Sequence, residues 1–82
     1  MIINVIMFGI AQEIFGESNV EINFNDPMRL TVNNLKSLLE ADRPALKELG
    51  SYMIAVNNEY AADDYIINEK DEVAVIPPVS GG

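Results

Sequence analysis

The last twelve residues of the sequence, DEVAVIPPVSGG at positions 71–82, constrain the fold more than any other segment. The apolar and β-branched run at residues 73–76 predicts a buried or half-buried strand. Pro77 and Pro78 end this strand, because proline donates no hydrogen bond to a sheet and fixes its own φ angle. The fold must therefore contain a strand at residues 73–76, and the chain must leave the sheet directly after it.

We interpret residues 1–78 as one folded domain and residues 79–82 as a flexible tail. The tail consists of Val79, Ser80, Gly81 and Gly82. Glycine lacks a Cβ atom, so a Gly-Gly end can enter a channel that is too narrow for other residues. Four residues reach at most about 14 Å beyond Pro78. The alternative interpretation is an ordinary frayed terminus.

This segment resembles the C-terminus of a known protein family. The match consists of DEVA at positions 71–74 and PPVSGG at positions 77–82, as in the small subunits of molybdopterin synthase. Those subunits are sulfur carriers. The resemblance implies an α+β, ubiquitin-like β-grasp fold, in which a mixed sheet is packed on one face by a helix. It also implies that the first and last strands are central parallel neighbours.

Composition excludes several kinds of chemistry. The chain has 82 residues, which suffice for one domain with one core. It contains no cysteine and no histidine, so disulfides, thiol or histidine catalysis and thiolate- or imidazole-ligated metal sites are excluded. We therefore expect no metal site. We also expect that the isolated chain is not an enzyme and is carried to a partner's active site.

The charge is strongly negative. Thirteen acidic and five basic residues give a formal net charge of −8. This disfavours nucleic acid and anionic membranes as partners and favours a protein with a basic docking surface. The alternative is that the acidity only aids solubility. With no apolar run of about 18–20 residues and no basic residue before Arg29, we expect a cytoplasmic protein.

The first predicted strand, residues 2–8, has two different faces. Counting in twos puts Ile3, Val5 and Met7 on one face and Asn4, Ile6 and Phe8 on the other. Asn4 indicates that the second face is the more exposed. Apolar residues such as Ile6 and Phe8 on an exposed face can mark a docking site. The alternative is that both faces are covered.

Periodicity and turn residues predict the remaining elements. We predict a helical turn at residues 11–16 ended by Gly16, strands at 19–24 and 52–56, turns at 25–27, 57–58 and 68–70, and a short edge strand within 61–67. Thr31 is predicted to cap a helix whose buried stripe consists of Val32, Leu35, Leu38 and Leu39. Pro44 is predicted to open a second short helix that buries Leu46 and Leu49.

Two residues depart from the family pattern. In the family an arginine usually stands at the position of Gln12. Whether this chain keeps the contact that such an arginine makes with a partner is left open. A glycine usually stands where this chain has Lys70. Either the turn before the last strand avoids a positive φ angle, or Lys70 tolerates mild strain.

The resemblance implies a reaction at the tail. The Gly82 carboxylate is adenylated by an ATP-using, E1-like adenylating enzyme and then receives sulfur from a donor protein, which gives a thiocarboxylate. The large subunit of molybdopterin synthase supplies the catalytic groups, and the sulfur attacks a cyclic pyranopterin monophosphate to build the dithiolene. This chain binds no cofactor in that scheme. The sequence leaves open whether molybdenum or tungsten is the metal finally carried.

The resemblance also suggests the docking residues. Family members often carry aromatic or apolar residues at the positions of Phe8, Tyr60 and Ile76, which we predict to be the anchors of the partner interface. Pro77 and Pro78 would start the insertion of the tail. The alternative is that the three anchors pack beneath a loop.

Other functions remain open at this point. A ubiquitin-like modifier joined to lysines through Gly82 can share the fold and the Gly-Gly end. A sulfur carrier for thiazole or cysteine synthesis is a further alternative, and so is a binding domain whose Gly-Gly is accidental.

Overall fold

The computed structural model describes residues 1–25 and 29–78. These residues form a mixed sheet with a helix packed across one of its faces. In chain order the elements are β1 (Ile2–Met7), α1 (Ile10–Phe15), β2 (Asn19–Asn23), α2 (Val32–Asp42), a 3-10 helix (Pro44–Leu49), β3 (Met53–Val56), β4 (Glu59–Tyr60) and β5 (Val73–Ile76).

Strand β5 occupies the centre of the sheet. The strand order is β2-β1-β5-β3-β4, with β5 parallel to β1 and antiparallel to β3. β5 ends at Ile76, directly before Pro77, as the sequence predicts. The central parallel pair of first and last strands, which the resemblance implies, is confirmed.

One face of the sheet forms the core with α2. In β1 the side chains of Ile3, Val5 and Met7 are at most 1 % exposed, whereas Asn4 is exposed. Val73 and Val75 of β5 are fully buried on the same side. The period-two alternation of the sequence thus identifies the buried face correctly. The described helices all pack into this one core, so among residues 1–25 and 29–78 no helix covers the opposite, open face of the sheet.

The cap of α2 forms as predicted. The Asn34 N–H donates to the Thr31 hydroxyl oxygen at 3.1 Å, and the hydroxyl donates to the Asn34 side-chain oxygen at 2.5 Å. Within the predicted stripe, Val32, Leu35 and Leu39 are fully buried. The prediction for Leu38 is wrong, since its side chain is 38 % exposed. Leu38 lies at the border of the stripe, where the helix turns away from the sheet.

The segment after α2 is a 3-10 helix that begins at Pro44, where the sequence predicts a short helix. Leu46 is fully buried, and Leu49 packs partly against the core. Gly50 ends the segment with a φ angle of 79°. The predicted short helix and its core contacts are confirmed in this tighter form.

The edge strand lies earlier than predicted. It is the two-residue strand β4, which pairs with β3 through the turn at Asn57 and Asn58. Both turn residues have positive φ angles, of 53° and 70°, which asparagine tolerates better than most residues. Residues 61–67 form only an isolated bridge, between Ile66 and Thr31. The prediction of a strand there is wrong because so short a strand is defined by its partner rather than by its own pattern.

Further predictions concern the glycine cap and the turns. Gly16 ends α1 with a φ angle of 74°, as predicted. Lys70 is not among the residues with a positive φ angle, so the turn before β5 avoids strain there. The predicted turn at 25–27 falls mostly, and the predicted tail at 79–82 entirely, outside the described residues. Among the described elements, no helix has the length and hydropathy that crossing a membrane requires.

Candidate functional site: a groove on the open sheet face

Register places a row of small and large side chains across the open face. Ile6 is opposite Ala74, Ala74 is opposite Ala55, and Ala55 is opposite Tyr60. Directly opposed residues on neighbouring strands point to the same face of a sheet. The row therefore crosses four strands, with two alanines at its centre and larger side chains at both ends.

A second apolar row lies nearer the end of β5. Ile76 is opposite Met53 of β3, and the Phe8 N–H donates to the Val75 carbonyl at 3.4 Å. Phe8 is 48 % exposed and Met53 is 45 % exposed. Large apolar side chains with this exposure, side by side on one face, form a patch of the kind that mediates docking.

Residues of both rows, without Met53, line an open groove of about 370 Å³. Its lining residues are Ile6, Phe8, Ala55, Asn58, Tyr60, Glu72, Ala74 and Ile76. Ala55 and Ala74 are only 9 % and 8 % exposed. Tyr60, in contrast, is 67 % exposed. The alanines are thus the floor of the groove, and the taller neighbours are its walls.

The structure brings the three predicted anchors together. Phe8 directly follows β1, Tyr60 belongs to β4 and Ile76 ends β5, and all three line this groove. Phe8 is 48 % exposed and Tyr60 is 67 % exposed, so neither is packed beneath a loop of the described residues. Whether the groove meets a partner stays a prediction.

The predicted tail residues lie beside the groove or beyond the described part of the chain. Pro77, which is half-buried, and Pro78, which is exposed, directly follow the groove residue Ile76. The proposed reacting residue Gly82, together with Val79, Ser80 and Gly81, lies outside the described residues. The described chain therefore leaves the sheet at the margin of the groove.

Sequence reasoning missed the groove floor and its polar wall. Ala55 is a small residue among larger ones, and alternation along β3 could have placed it on the same face as Ala74. Asn58 and Glu72 could not be found in this way, because they follow a turn and precede a strand. Their approach to the groove depends on the pairing of β3 with β4 and β5.

Hydrogen bonds hold Glu72, the charged residue of the groove lining, in place through its backbone. The Glu72 N–H donates to Asn57 Oδ1 at 2.9 Å, and the Asn57 N–H donates to the Glu72 carbonyl at 2.8 Å. The side-chain carboxylate of Glu72 is exposed at the wall. The groove thus combines an apolar floor with one carboxylate at its wall, which suits an apolar group that has a cation beside it.

A second polar cluster lies away from the groove, between α2 and the start of β3. The Tyr52 hydroxyl donates to Glu40 Oε2 at 2.5 Å, and Lys36 forms an ion pair with Asp63 at 2.9 Å. Burial, and then the hydrogen bond to Glu40, raise the pKa of Tyr52 above its ordinary value of 10.0. This cluster fastens α2 to the sheet and is part of the fold rather than of the groove.

The groove is equipped for binding rather than for proton transfer. Its ionisable lining residues are Tyr60 and Glu72, which are both exposed. Among residues 1–25 and 29–78, no three side chains of the types that ligate metals converge. What the described surface can do chemically is hold an apolar protrusion of another molecule beside the start of the tail.

Known proteins are similar to this chain in sequence over nearly its whole length. The model of the ThiS family matches residues 5–82. The molybdopterin synthase sulfur carrier subunit of Arabidopsis thaliana is 35 % identical over 81 residues, which cover 98 % of this chain and 82 % of the relative. The alignment therefore covers nearly all of this chain and most of the relative.

Solved structures of known proteins superpose on this chain. SAMP1 from Haloferax volcanii superposes with a TM-score of 0.82 at 25 % identity, over 100 % of both chains. A chain of the complex between subunits 1 and 2 of the molybdopterin-converting factor from Helicobacter pylori superposes with a TM-score of 0.66 at 28 % identity, again over 100 % of both chains. The fold is therefore the ubiquitin-like β-grasp, and the chain belongs to the ThiS family.

Proposed function

We propose that this chain is the sulfur carrier subunit of a molybdopterin synthase. The observation that carries the proposal is the groove lined by Phe8, Tyr60 and Ile76, because its lining residue Ile76 directly precedes the prolines that lead to the tail. Similarity to sulfur carrier subunits over nearly the whole chain supports it. One partner could then hold the groove and receive the tail at the same time.

The proposed chemistry takes place at Gly82. An unactivated carboxylate is a poor electrophile, so its oxygen must first become part of a good leaving group. An E1-like adenylating enzyme joins the carboxylate to AMP from ATP and releases pyrophosphate. Sulfur at the sulfide level, delivered by a donor protein, then displaces AMP and leaves a thiocarboxylate. We place these steps in the cytoplasm, and this chain itself binds no cofactor.

The second proposed step is sulfur transfer within the complex. Two thiocarboxylated chains in turn each donate one sulfur to a cyclic pyranopterin monophosphate. In each transfer the sulfur bonds to a carbon of the precursor and displaces an oxygen, and water then cleaves the bond between the sulfur and the Gly82 carbonyl, which releases Gly82 as a carboxylate. The dithiolene of molybdopterin is complete after the second transfer. The large subunit supplies the acid and base, since this chain has no histidine or cysteine. Docking on the groove raises the effective concentration of the tail in the partner's pocket. The chain is thus the sulfur-donating part of a sulfurtransferase without catalytic side chains of its own.

Charge supports a basic partner surface. The chain carries a net charge of −8, and Glu72 stands at the wall of the groove. Oppositely charged surfaces accelerate encounter, and salt weakens the effect. Association with the large subunit should therefore slow as the ionic strength rises, whereas an uncharged interface would show little change.

Loading of the tail tests the proposal directly. The full-length chain is incubated with the adenylating enzyme, ATP and a sulfur source, and mass spectrometry detects the replacement of one oxygen by sulfur. Deletion of Gly82 shortens the chain by about 3.5 Å and should abolish transfer to the precursor, because misplacement by even ~1 Å can cost ~100-fold in rate. The fold should persist, since the core residues all precede Pro77.

Two controls sharpen this test. Gly81→Val keeps the reach of the tail but adds a branched side chain where we expect a narrow channel, so it should also block sulfur transfer. The thiocarboxylated chain without the large subunit should form no dithiolene. Sulfur loading and dithiolene formation by the deletion variant would contradict the proposal, and so would product formed without the large subunit.

A second function is a ubiquitin-like protein modifier joined to other proteins through Gly82. The structural similarity to SAMP1, the small archaeal modifier protein 1 of Haloferax volcanii, favours it. Activation of Gly82 would begin with the same adenylate in both cases. The match to the ThiS family keeps a carrier for thiazole or cysteine synthesis as a further alternative. Covalent high-molecular-weight conjugates in cells, lost on deletion of Gly82, would support the modifier.

A further inference from the structure

Gly9 has a backbone conformation that other residues avoid. Its φ and ψ angles are 53° and −132°, and the Ala11 N–H donates to the Phe8 carbonyl at 3.0 Å. These are the features of a type II′ turn with Gly9 at its first central position, where a positive φ angle favours glycine. The turn joins β1 to α1 and follows the groove residue Phe8.

The missing side chain of Gly9 also makes room for Pro77. A Cβ atom placed on Gly9 would lie 3.2 Å from Pro77 Cγ, which is closer than ordinary van der Waals contact. Gly16 and Gly50 also have positive φ angles, of 74° and 79°, yet a Cβ on either would meet nothing within 4 Å. Gly9 therefore combines a special conformation with a close tertiary contact, which these two glycines do not.

Strand pairing explains why Gly9 and Pro77 meet. β1 and β5 are parallel, with Met7 opposite Val75. Two residues further along each strand, the chain reaches Gly9 on one side and Pro77 on the other. The first residue beyond β5 thus packs against the first turn beyond β1, and the contact lies at the groove margin beside Ile76.

We propose that Gly9 is a positioning residue for the tail. Its bare backbone seats the Pro77 ring and so sets the direction in which the chain leaves β5. Pro77 and Pro78 have fixed φ angles, so this direction is carried onward through both residues. The inference rests on the proposed function, because the orientation matters only if one partner holds the groove and the tail together.

Four variants test the contact. Gly9→Ala adds a methyl group against Pro77, and Gly50→Ala introduces comparable backbone strain into open space. Pro77→Ala removes the Cγ atom that Gly9→Ala would strike, and the double variant carries both changes. For each protein we would measure the free energy of unfolding, the affinity for the cognate large subunit and the single-turnover rate of sulfur transfer from the thiocarboxylated chain.

We expect Gly9→Ala to slow sulfur transfer by about 10-fold or more, since misplacement of reacting groups by ~1 Å can cost ~100-fold. Gly50→Ala should lower stability but leave the transfer rate nearly unchanged. In the Pro77→Ala background the added methyl group has no Cγ to meet, so Gly9→Ala should slow transfer much less. This coupling between the two sites is the signature of the contact.

Several results would overturn the inference. If Gly9→Ala slowed transfer equally with and without the Pro77 ring, turn strain would be the cause and the contact would have no role. An unchanged transfer rate in Gly9→Ala would exclude a positioning role outright. If the unmodified chain failed to transfer sulfur with the large subunit, the proposed function would fail first. Coupling between the two sites in the free energy of unfolding, measured on the isolated chain, would still report the contact itself.

Discussion

At the scale of single residues, Asn57 joins the turn after β3 to the loop before β5. Its side-chain nitrogen donates to Asp71 Oδ1 at 3.0 Å, and its side-chain oxygen accepts from the Glu72 N–H at 2.9 Å. The second oxygen of Asp71 accepts from the Asn68 N–H at 2.8 Å. Asn57 itself has a φ angle of 53°. One asparagine thus fixes the loop that precedes the central strand.

Asn57→Gly separates these hydrogen bonds from the backbone conformation. Glycine keeps the positive φ angle without strain but loses both side-chain hydrogen bonds. We expect the free energy of unfolding, measured by urea denaturation, to fall by about 1–2 kcal/mol, as for two partly exposed hydrogen bonds. Asn58→Gly, at a φ angle of 70°, is the matched control and should change stability less. An equal fall in the free energy of unfolding for Asn57→Gly and Asn58→Gly would show that the side-chain hydrogen bonds of Asn57 do not stabilise the fold.

The raised pKa of Tyr52 predicts that the folded state becomes less stable at alkaline pH. The folded state raises its pKa, so the proton leaves at a higher pH than in the unfolded chain, where the pKa is about 10. The stabilisation is therefore complete below about pH 10 and is lost as the pH rises from there towards the folded pKa. The free energy of unfolding should fall less steeply above about pH 10 in Tyr52→Phe than in the unmodified chain. Parallel curves would contradict this assignment.

At the scale of elements, the parallel pair β1 and β5 organises the site. Parallel strands bring their carboxyl ends to the same edge of a sheet, so Phe8 and Pro77 emerge side by side. The antiparallel neighbour β3 adds Met53 opposite Ile76. The docking surface and the exit of the tail therefore follow from one feature of topology.

Helix α2 provides a matched pair of leucines for a test of core packing. Leu39 is fully buried and Leu38 is 38 % exposed, one position apart on the same helix. Leu39→Ala should lower the free energy of unfolding by about 2–5 kcal/mol through lost burial and a cavity. Leu38→Ala should change it by only about 0.5 kcal/mol. Urea denaturation of both variants measures these changes. A large fall in the free energy of unfolding for Leu38→Ala would mean that the helix packs with a different face against the sheet.

At the scale of the whole molecule, the two faces of the sheet serve different purposes. The face under α2 holds the core, whereas the open face holds a shallow apolar groove with Glu72 at its wall. Apart from Ala55 and Ala74 at the floor of the groove, the buried apolar residues of the described chain belong to this core, and no described polar or charged residue is buried. The other side can change its side chains with little cost to folding.

Ile76→Asp exploits this division. A charge at the centre of the apolar surface should weaken association with the large subunit by more than about 2 kcal/mol. The isolated chain should remain folded, because Ile76 is only half-buried. Leu38→Asp, on the helix away from the groove, is the control for added charge. Titration calorimetry gives both affinities, and an unchanged value for Ile76→Asp would remove this residue from the interface.

Local sequence determined most of the elements. Alternation located β1 and its buried face as well as β2, and the apolar, β-branched run at residues 73–76 located β5. Turn and cap chemistry located Thr31 at the start of α2 and Gly16 at the end of α1, because few residue types satisfy those positions. The Pro-Pro pair fixed the end of β5. The strand order came from the family resemblance and not from periodicity, since pairing between distant strands leaves no local pattern.

Only the tertiary structure decided the rest. β4 forms because the chain turns at Asn57 and Asn58 and pairs with β3. Leu38 is exposed because the sheet covers only part of the surface of α2. Ala55 and Ala74 form one floor because the register of β3 on β5 places them opposite each other. Gly9 and Pro77 touch because β1 and β5 are parallel. The sequence by itself determined the residues with local constraints and the tail they lead to, whereas contacts between distant residues depend on pairing that only the folded chain establishes.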